Sequence, residues 1–327
     1  MSVHLLYGEE TYLLETKLKR IKKDFGELVN GINFIRIDDT NAQELIEDIE
    51  TSAFGYEKKL IIARNTGLFK KEKKTAKGQE LVVNKLMNKI AEYINENISV
   101  INEAVELVFV EEEAEKNALY KAIEKNGEIL EFALLKLPEL IQNIQKICVA
   151  YKVKIDNGTA KYFIECCGTS MQELINEIRK LIEFVGQDGI ITTKEIDLLS
   201  IKQIDSVIFD LTDNLGKKDT KKAIEVLNNL IYEKEPIQKI LITLYNHFKK
   251  LYIVKIAEEY RKDLASAMQL KPNQLFLTTK YKMQAKYFSK QEIEKILEEF
   301  INLDANYKVG LIDINIGLEA ILCKYCS

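Results

Sequence analysis

The stretch with the most recognisable chemistry runs from Leu5 to Glu15, Leu-Leu-Tyr-Gly-Glu-Glu-Thr-Tyr-Leu-Leu-Glu. An apolar run, a glycine and a helix start are the scaffold of a phosphate loop, in which backbone amides and a lysine surround the phosphates while a hydroxyl holds magnesium. That loop needs glycine, four residues, then Gly-Lys-Ser/Thr. Counted from Gly8, the last three places hold Leu13, Leu14 and Glu15. Two leucines supply neither an open backbone nor a cation, and Glu9, Glu10 and Glu15 repel a polyphosphate. The expectation is a phosphate-loop scaffold without ATPase activity, and no cofactor.

A second requirement fails independently. Residues Glu57–Asn65 read as a strand placed where an ATPase carries the acid that organises magnesium, and that place holds Arg64 or Asn65. Just before it, Ile46, Ile49 and Glu50 lead into Thr51-Ser52-Ala53-Phe54-Gly55-Tyr56, where helical spacing ends. Phe54 is expected at a helix end closed by Gly55, either exposed or packing the helix onto the sheet. Other reactive residue types are isolated. Glu111–Glu113 reads as a solvated strand end, and His4 and His247 carry no partner motif. Cys323-x-x-Cys326 has no second pair to complete a zinc site, and five cysteines in apolar stretches indicate buried thiols in a reducing compartment. Neither a metal site nor an active site is expected.

The elements that must position these residues follow from periodicity. Short apolar runs at Val3–Tyr7, Phe34–Ile37, Leu60–Ala63, Leu107–Val110 and Ile129–Phe132 alternate with helical patterns at Thr11–Phe25, Ala42–Ile49, Glu80–Glu96 and Ala114–Lys125. This alternation predicts a parallel, doubly wound α/β sheet. Lys70–Gly78 reads as an exposed loop of mixed charge. After Pro138 only helices are predicted: Leu140–Tyr151, Gly158–Cys166, Ser170–Val185, Thr193–Leu199, Val207–Leu215, Lys221–Ile231, Pro236–Arg261, Ser289–Tyr307 and Ile312–Lys324. Thr159 stands near one helix start, Thr192 and Glu195 have capping-box spacing, and Pro236 opens another helix. The expected domains are 1–138, α/β; 139–206, a small helical unit; and 207–327, a larger one. At 327 residues, with 51 acidic and 47 basic side chains, the net charge of −4 offers no global field toward DNA or anionic lipid. Nothing in the sequence has the length of a signal or membrane segment, which places the chain in the cytoplasm.

Four pieces in order then carry a resemblance: Leu6-Tyr7-Gly8-Glu9-Glu10 with Tyr12-Leu13; Ala53-Phe54-Gly55 followed by the strand Lys59–Asn65; Asn176-Glu177-Ile178-Arg179-Lys180-Leu181; and Ile208-Phe209-Asp210-Leu211. With Tyr307-Lys308-Val309-Gly310 and Gly317-Leu318-Glu319 near the end, the chain resembles the δ subunit of the bacterial DNA polymerase III clamp loader over nearly its whole length. The resemblance implies an AAA+-like domain without ATPase activity, a three-helix lid and a helical collar joining a hetero-pentameric ring. It implies a non-catalytic polymerase III subunit that binds and opens the sliding clamp for loading onto primed DNA, with Ser52, Ala53 and Phe54 at the clamp-binding positions and Tyr307 near template DNA. Ala53 replaces the larger aliphatic residue usual in that family, which leaves Phe54 as the main anchor. Two rivals stand beside it: a degenerate AAA+ NTPase, and a helical DNA-binding module in which Lys217, Lys218, Lys221, Lys222, Lys249 and Lys250 line a phosphate track.

Overall fold

The computed structural model describes residues 2–70 and 77–326, which fall into two compact units, Met1–Leu134 and Leu135–Ser327. The first holds five parallel strands, β1 (Val3–Tyr7), β2 (Phe34–Ile37), β3 (Lys59–Arg64), β4 (Val105–Glu111) and β5 (Glu128–Glu131), in the order β2-β3-β4-β1-β5. Four helices accompany them: α1 (Thr11–Phe25), α2 (Leu45–Glu50), α3 (Lys77–Ala104) and α4 (Ala118–Asn126). The strands read as unbroken apolar runs because both sheet faces are covered. Leu6, Leu60, Ile62, Val108 and Val110 pack beneath Leu14 and Leu18 of α1, while Val3, Leu5, Ile61, Ala63, Leu107 and Phe109 face the cluster that holds Ile90 and Ile94 of α3 and Leu119 and Ile123 of α4.

Local differences from the sequence reading have identifiable causes. The stretch expected to be one helix from Ala42 starts as a 3₁₀ turn, Ala42–Glu44, and becomes α-helical only at Leu45. Most of Lys70–Gly78 lies outside the described residues, but Lys77 and Gly78 open α3 and so belong to a helix rather than a loop. That helix runs on to Ala104 through a kink at Asn97. His4 does have partners: its ring lies 2.8 Å from Glu106 of β4 and 3.1 Å from Glu128 of β5, tying β1 to both neighbours.

The second unit is built from helices joined by turns, with an isolated parallel bridge between Lys154 and Ile190. It opens with α5 (Leu137–Ala150), α6 (Asn157–Cys167), α7 (Met171–Val185) and α8 (Thr193–Leu199). It continues with α9 (Ile204–Gly216), α10 (Thr220–Tyr232), α11 (Ile237–Glu259), α12 (Leu264–Ala267), α13 (Leu277–Ala285), α14 (Lys290–Lys308) and α15 (Ile314–Cys326). Thr192 and Glu195 form the expected capping box, and Ser289 and Glu292 form another. The cap of α6 is Asp156, not Thr159: its carboxylate accepts the Thr159 amide and hydroxyl. The helices α12 and α13 escape the sequence pattern because few apolar residues carry them; the buried set of α13 is Tyr281, Gln284 and Ala285, one of them polar.

Gln284 is buried for a reason. Its amide nitrogen donates to the Phe209 carbonyl (2.8 Å) and to the Asp213 carboxylate (2.7 Å), which leaves its oxygen to accept from His247 Nε2 at 2.8 Å. The imidazole stands edge-on to Phe209 and close to Tyr281 and Phe248, with no carboxylate paired to it among the described residues. Burial among these rings lowers its pKa from 6.5 to about 3, so the folded protein holds it neutral. Above 6.5 the group costs nothing; as the pH falls below that value the unfolded chain takes up a proton that the folded chain refuses, and stability drops by about 1.4 kcal/mol per pH unit. Replacing His247 by Gln is therefore expected to reduce the stability lost between pH 7 and pH 5, measured by urea denaturation, by about 2 kcal/mol; equal losses in both proteins would show that the imidazole is not held neutral.

Candidate functional site

In an open parallel sheet, ligands bind beyond the carboxyl ends of the strands where the order reverses, here the end of β1 between β4 and β5. Only Gly8, Glu9 and Glu10 separate β1 from α1. Their backbone is already committed. The Gly8 amide donates to the Glu111 carbonyl at the end of β4 (3.2 Å), the Glu10 amide to the Phe132 carbonyl past β5 (2.9 Å), and the Phe132 amide returns to Tyr7 (2.7 Å). Thr11 donates to Glu9 (3.0 Å), so the Gly8, Glu10 and Thr11 amides are consumed within the chain rather than turned to a phosphate. Gly8 has φ 132°, and a side chain there would stand 2.3 Å from the Phe132 carbonyl oxygen. The glycine serves the close approach of the chain beyond β5, not a ligand.

The charge at this edge is equally unsuited to nucleotide. Glu10 is 5% exposed, and burial pushes its carboxyl above the usual range. Glu15 and Arg64, which occupy the magnesium-binding hydroxyl and acid positions, pair with each other at 2.5 Å. Glu111, expected on a solvated strand end, is instead buried: its carboxylate accepts the Thr66 amide (2.9 Å) and hydroxyl (2.7 Å). That bond pins the turn after β3 to the end of β4. The expectation failed because the sequence shows three consecutive glutamates and not which one turns inward; Glu112 and Glu113 are the exposed ones.

At the opposite, amino edge of the sheet the arrangement presents a side chain outward. The helix α2 ends at Glu50 with Thr51 in extended conformation, and Ala53–Tyr56 forms a tight turn closed by the Tyr56 amide on the Ala53 carbonyl (3.0 Å). Gly55 takes φ 81°, the third-position geometry of a type II turn. It lies five residues past the end of the helix, shapes the turn there, and is not the helix stop expected from sequence. Phe54, at the tip, is 90% exposed, which excludes the core-packing alternative; Ser52 is exposed and Ala53 half-buried.

A buried lysine holds this tip. Lys59, at the start of β3 and only 3% exposed, donates from Nζ to the carbonyls of Asp48 and Thr51, both at 2.7 Å, and to the Thr51 hydroxyl at 2.8 Å. An ammonium at a helix C-terminus satisfies orphan carbonyls and complements the helix dipole. Burial pushes this amine below the usual lysine range, countered in part by Asp48. Sequence reading placed Lys59 within the strand Glu57–Asn65 and gave it no role; the available signal was a lysine directly preceding a buried apolar run.

Elsewhere the expected residues are dispersed. Ile178 and Leu181 of the Asn176–Leu181 stretch are buried, while Glu177 pairs with Lys180 (2.7 Å) and accepts the Ile201 amide (2.9 Å), as on a structural helix face. Tyr307 is half-buried against the core of α9–α15, its hydroxyl accepting from Gln238 at 2.9 Å. Lys218 donates to the Tyr325 carbonyl, Lys222 pairs with Asp219 and Lys250 stands over the Tyr281 ring, so half of the six proposed track lysines are engaged internally. Cys148, Cys166 and Cys167 are buried thiols, with Cys148 pushed up to about 11 by burial. Cys323 is exposed, the Cys326 side chain lies outside the described residues, and no cluster suited to a metal exists among the described residues. No described helix is long and apolar enough to cross a membrane.

Comparison with known proteins bears on the arrangement as a whole. Residues 4–133 match the family model described as DNA polymerase III, delta subunit, and residues 205–325 match the model for the C-terminal domain of that same delta subunit. The chain belongs to the DNA polymerase III delta subunit family. The DNA polymerase III subunit delta of Bacillus subtilis is 24% identical, covering 98% of this chain and 92% of that protein. The probable delta subunit of Aquifex aeolicus is 28% identical, covering 95% and 87%. A solved structure, the Bacillus subtilis DNA clamp loader delta protein, covers 100% of this chain and 95% of its own at a TM-score of 0.75 and 23% identity, so the two share a fold. In this chain that fold carries a β1–α1 loop whose Gly8, Glu10 and Thr11 amides are bonded within the chain.

Two variants test the edges. Gly8→Ala is expected to cost about 2 kcal/mol or more in denaturation, from the strained φ and the Phe132 carbonyl; a change within about 0.5 kcal/mol would mean that the loop has slack. Lys59→Met should destabilise the first unit by about 2 kcal/mol and raise amide exchange across residues 51–57. Unchanged exchange there would show that the turn does not rely on the ammonium.

Proposed function

We propose that this chain acts inside a clamp loader as the subunit that docks on and opens the sliding clamp, with Phe54 as anchor and Ser52 and Ala53 beside it. The observation that carries the reading is a phenylalanine left 90% exposed on a turn whose base is fixed by a buried lysine. Free exposure of a large ring is unfavourable unless a partner covers it, and a buried phenylalanine removes about 150–250 Å² from water. Holding the turn rigid before contact reduces the ordering cost of binding. Ala53 adds little area, so the ring supplies most of the contact.

The chain performs no chemistry in this reading. ATP held by neighbouring subunits would drive the ring between states, and Phe54 contributes by binding the open clamp more tightly than the closed one. The helices of 139–206 form the lid and those of 207–327 the collar that joins a hetero-pentamer in the cytoplasm. Tyr307 sits in that collar near primed DNA, where only its exposed ring edge is open to a base because its hydroxyl is held by Gln238. The rival NTPase reading meets a loop whose amides are already bonded.

Phe54→Ala is expected to weaken binding to the cognate clamp by about 2–4 kcal/mol, about thirtyfold or more. Surface plasmon resonance with the purified clamp and circular dichroism of the variant decide it: an unchanged dissociation constant in a folded variant removes the anchor.

A further inference from the structure

We propose that the groove between α1 and the edge strand β2, lined by Lys22, Arg36 and Arg64, binds a phosphate group. Three apolar stripes of one packed layer each end in a cation there. On α1 the buried Leu14 and Leu18 are followed at helical spacing by Lys22; on β2, Phe34 is followed two residues on by Arg36; on β3, Leu60 and Ile62 are followed by Arg64. The register pairs Arg36 with Ile62, so both guanidinium groups rise from the α1 face of adjacent strands. Lys22 Nζ lies 5.4 Å and the Arg36 guanidinium carbon 5.2 Å from the Phe34 ring centroid, and the cavity they share with Leu18, Ile62 and Arg64 has a volume of about 540 Å³.

Arg64 pairs with Glu15, but neither Lys22 nor Arg36 has a carboxylate within ion-pair distance among the described residues. Asp38 and Asp39 line the rim, yet Asp38 turns an oxygen back to the Thr40 amide (2.9 Å) and hydroxyl (2.6 Å). The half-buried Lys22 ammonium is held below its usual range, first by burial and then by Arg36 and Arg64, as crowded cations require. Three cations stand here over an apolar floor, with Glu15 on Arg64 and with Asp38 and Asp39 at the rim. Two planar guanidinium forks and an ammonium converging from three elements suit a tetrahedral oxyanion, which can accept from all three at once. The groove shares Arg64, paired with Glu15, with the magnesium-binding positions described above, while Gly8 follows β1, which β3 and β4 separate from β2. The proposal does not depend on the clamp-docking reading.

The phosphate could be free or part of a nucleic-acid backbone, and calorimetry on the full chain separates the sources. Inorganic pyrophosphate, titrated without metal at low salt, is expected to bind wild type, to bind the Lys22→Gln, Arg36→Gln double variant about tenfold or more weakly, and to bind Glu15→Gln more tightly because Arg64 is released. The Glu15 variant guards against misfolding, since a damaged protein would not gain affinity. Lys121→Gln, on α4, serves as control. An oligothymidylate that competes with pyrophosphate and is lost in the same double variant identifies a nucleic-acid backbone; pyrophosphate binding sensitive to the variants without such competition identifies a free phosphate compound. No pyrophosphate binding by wild type, or affinities for the double variant within about twofold of wild type, overturns the assignment.

Discussion

Every amide at the carboxyl edge of a parallel sheet must find an acceptor, and at the centre of this edge the acceptor is the neighbouring chain. The Phe132 carbonyl takes the Glu10 amide and fits against a glycine that has no side chain to exclude it. From that approach follows the rest of the edge: a three-residue loop, a helix that starts at once, and Gly8, Glu10 and Thr11 amides already bonded within the chain. The substitution of leucines and glutamates for the phosphate-binding residues is the chemical counterpart of this closure.

The amino edge of the sheet is built differently. Lys59 illustrates how a buried charge can be justified by geometry: its three acceptors replace much of the water it lost, and two of them are carbonyls that a helix end would otherwise leave unpaired. The same ammonium binds the last turn of α2 to the first residue of the Phe54 loop. The exposed ring is thus mounted on a helix, a strand and a glycine turn, with little freedom at its base.

The second unit uses polar burial differently. Gln284 and His247 form a short relay inside an aromatic cluster, in which each donor has one acceptor and the imidazole carries no charge. Such a network fixes how α9, α11 and α13 meet, because rotation of any one would strand a buried amide or ring nitrogen. Apolar packing alone would permit more than one register.

Much of this was legible in the chain itself. Strand and helix periodicity located β1, β2 and α1 at their observed bounds, and spacing from Gly8 showed that the phosphate-binding set was absent, since these depend on residues near one another in sequence. Phe54 could be singled out, but not whether it faced core or solvent, because an apolar residue past a helix end suits both. Tertiary structure alone decided that Glu111 rather than Glu112 turns inward, that Lys59 reaches back to α2, and that Lys22, Arg36 and Arg64 share one groove. Each of those depends on which side chains meet across elements far apart in the chain, and local periodicity carries no record of such meetings.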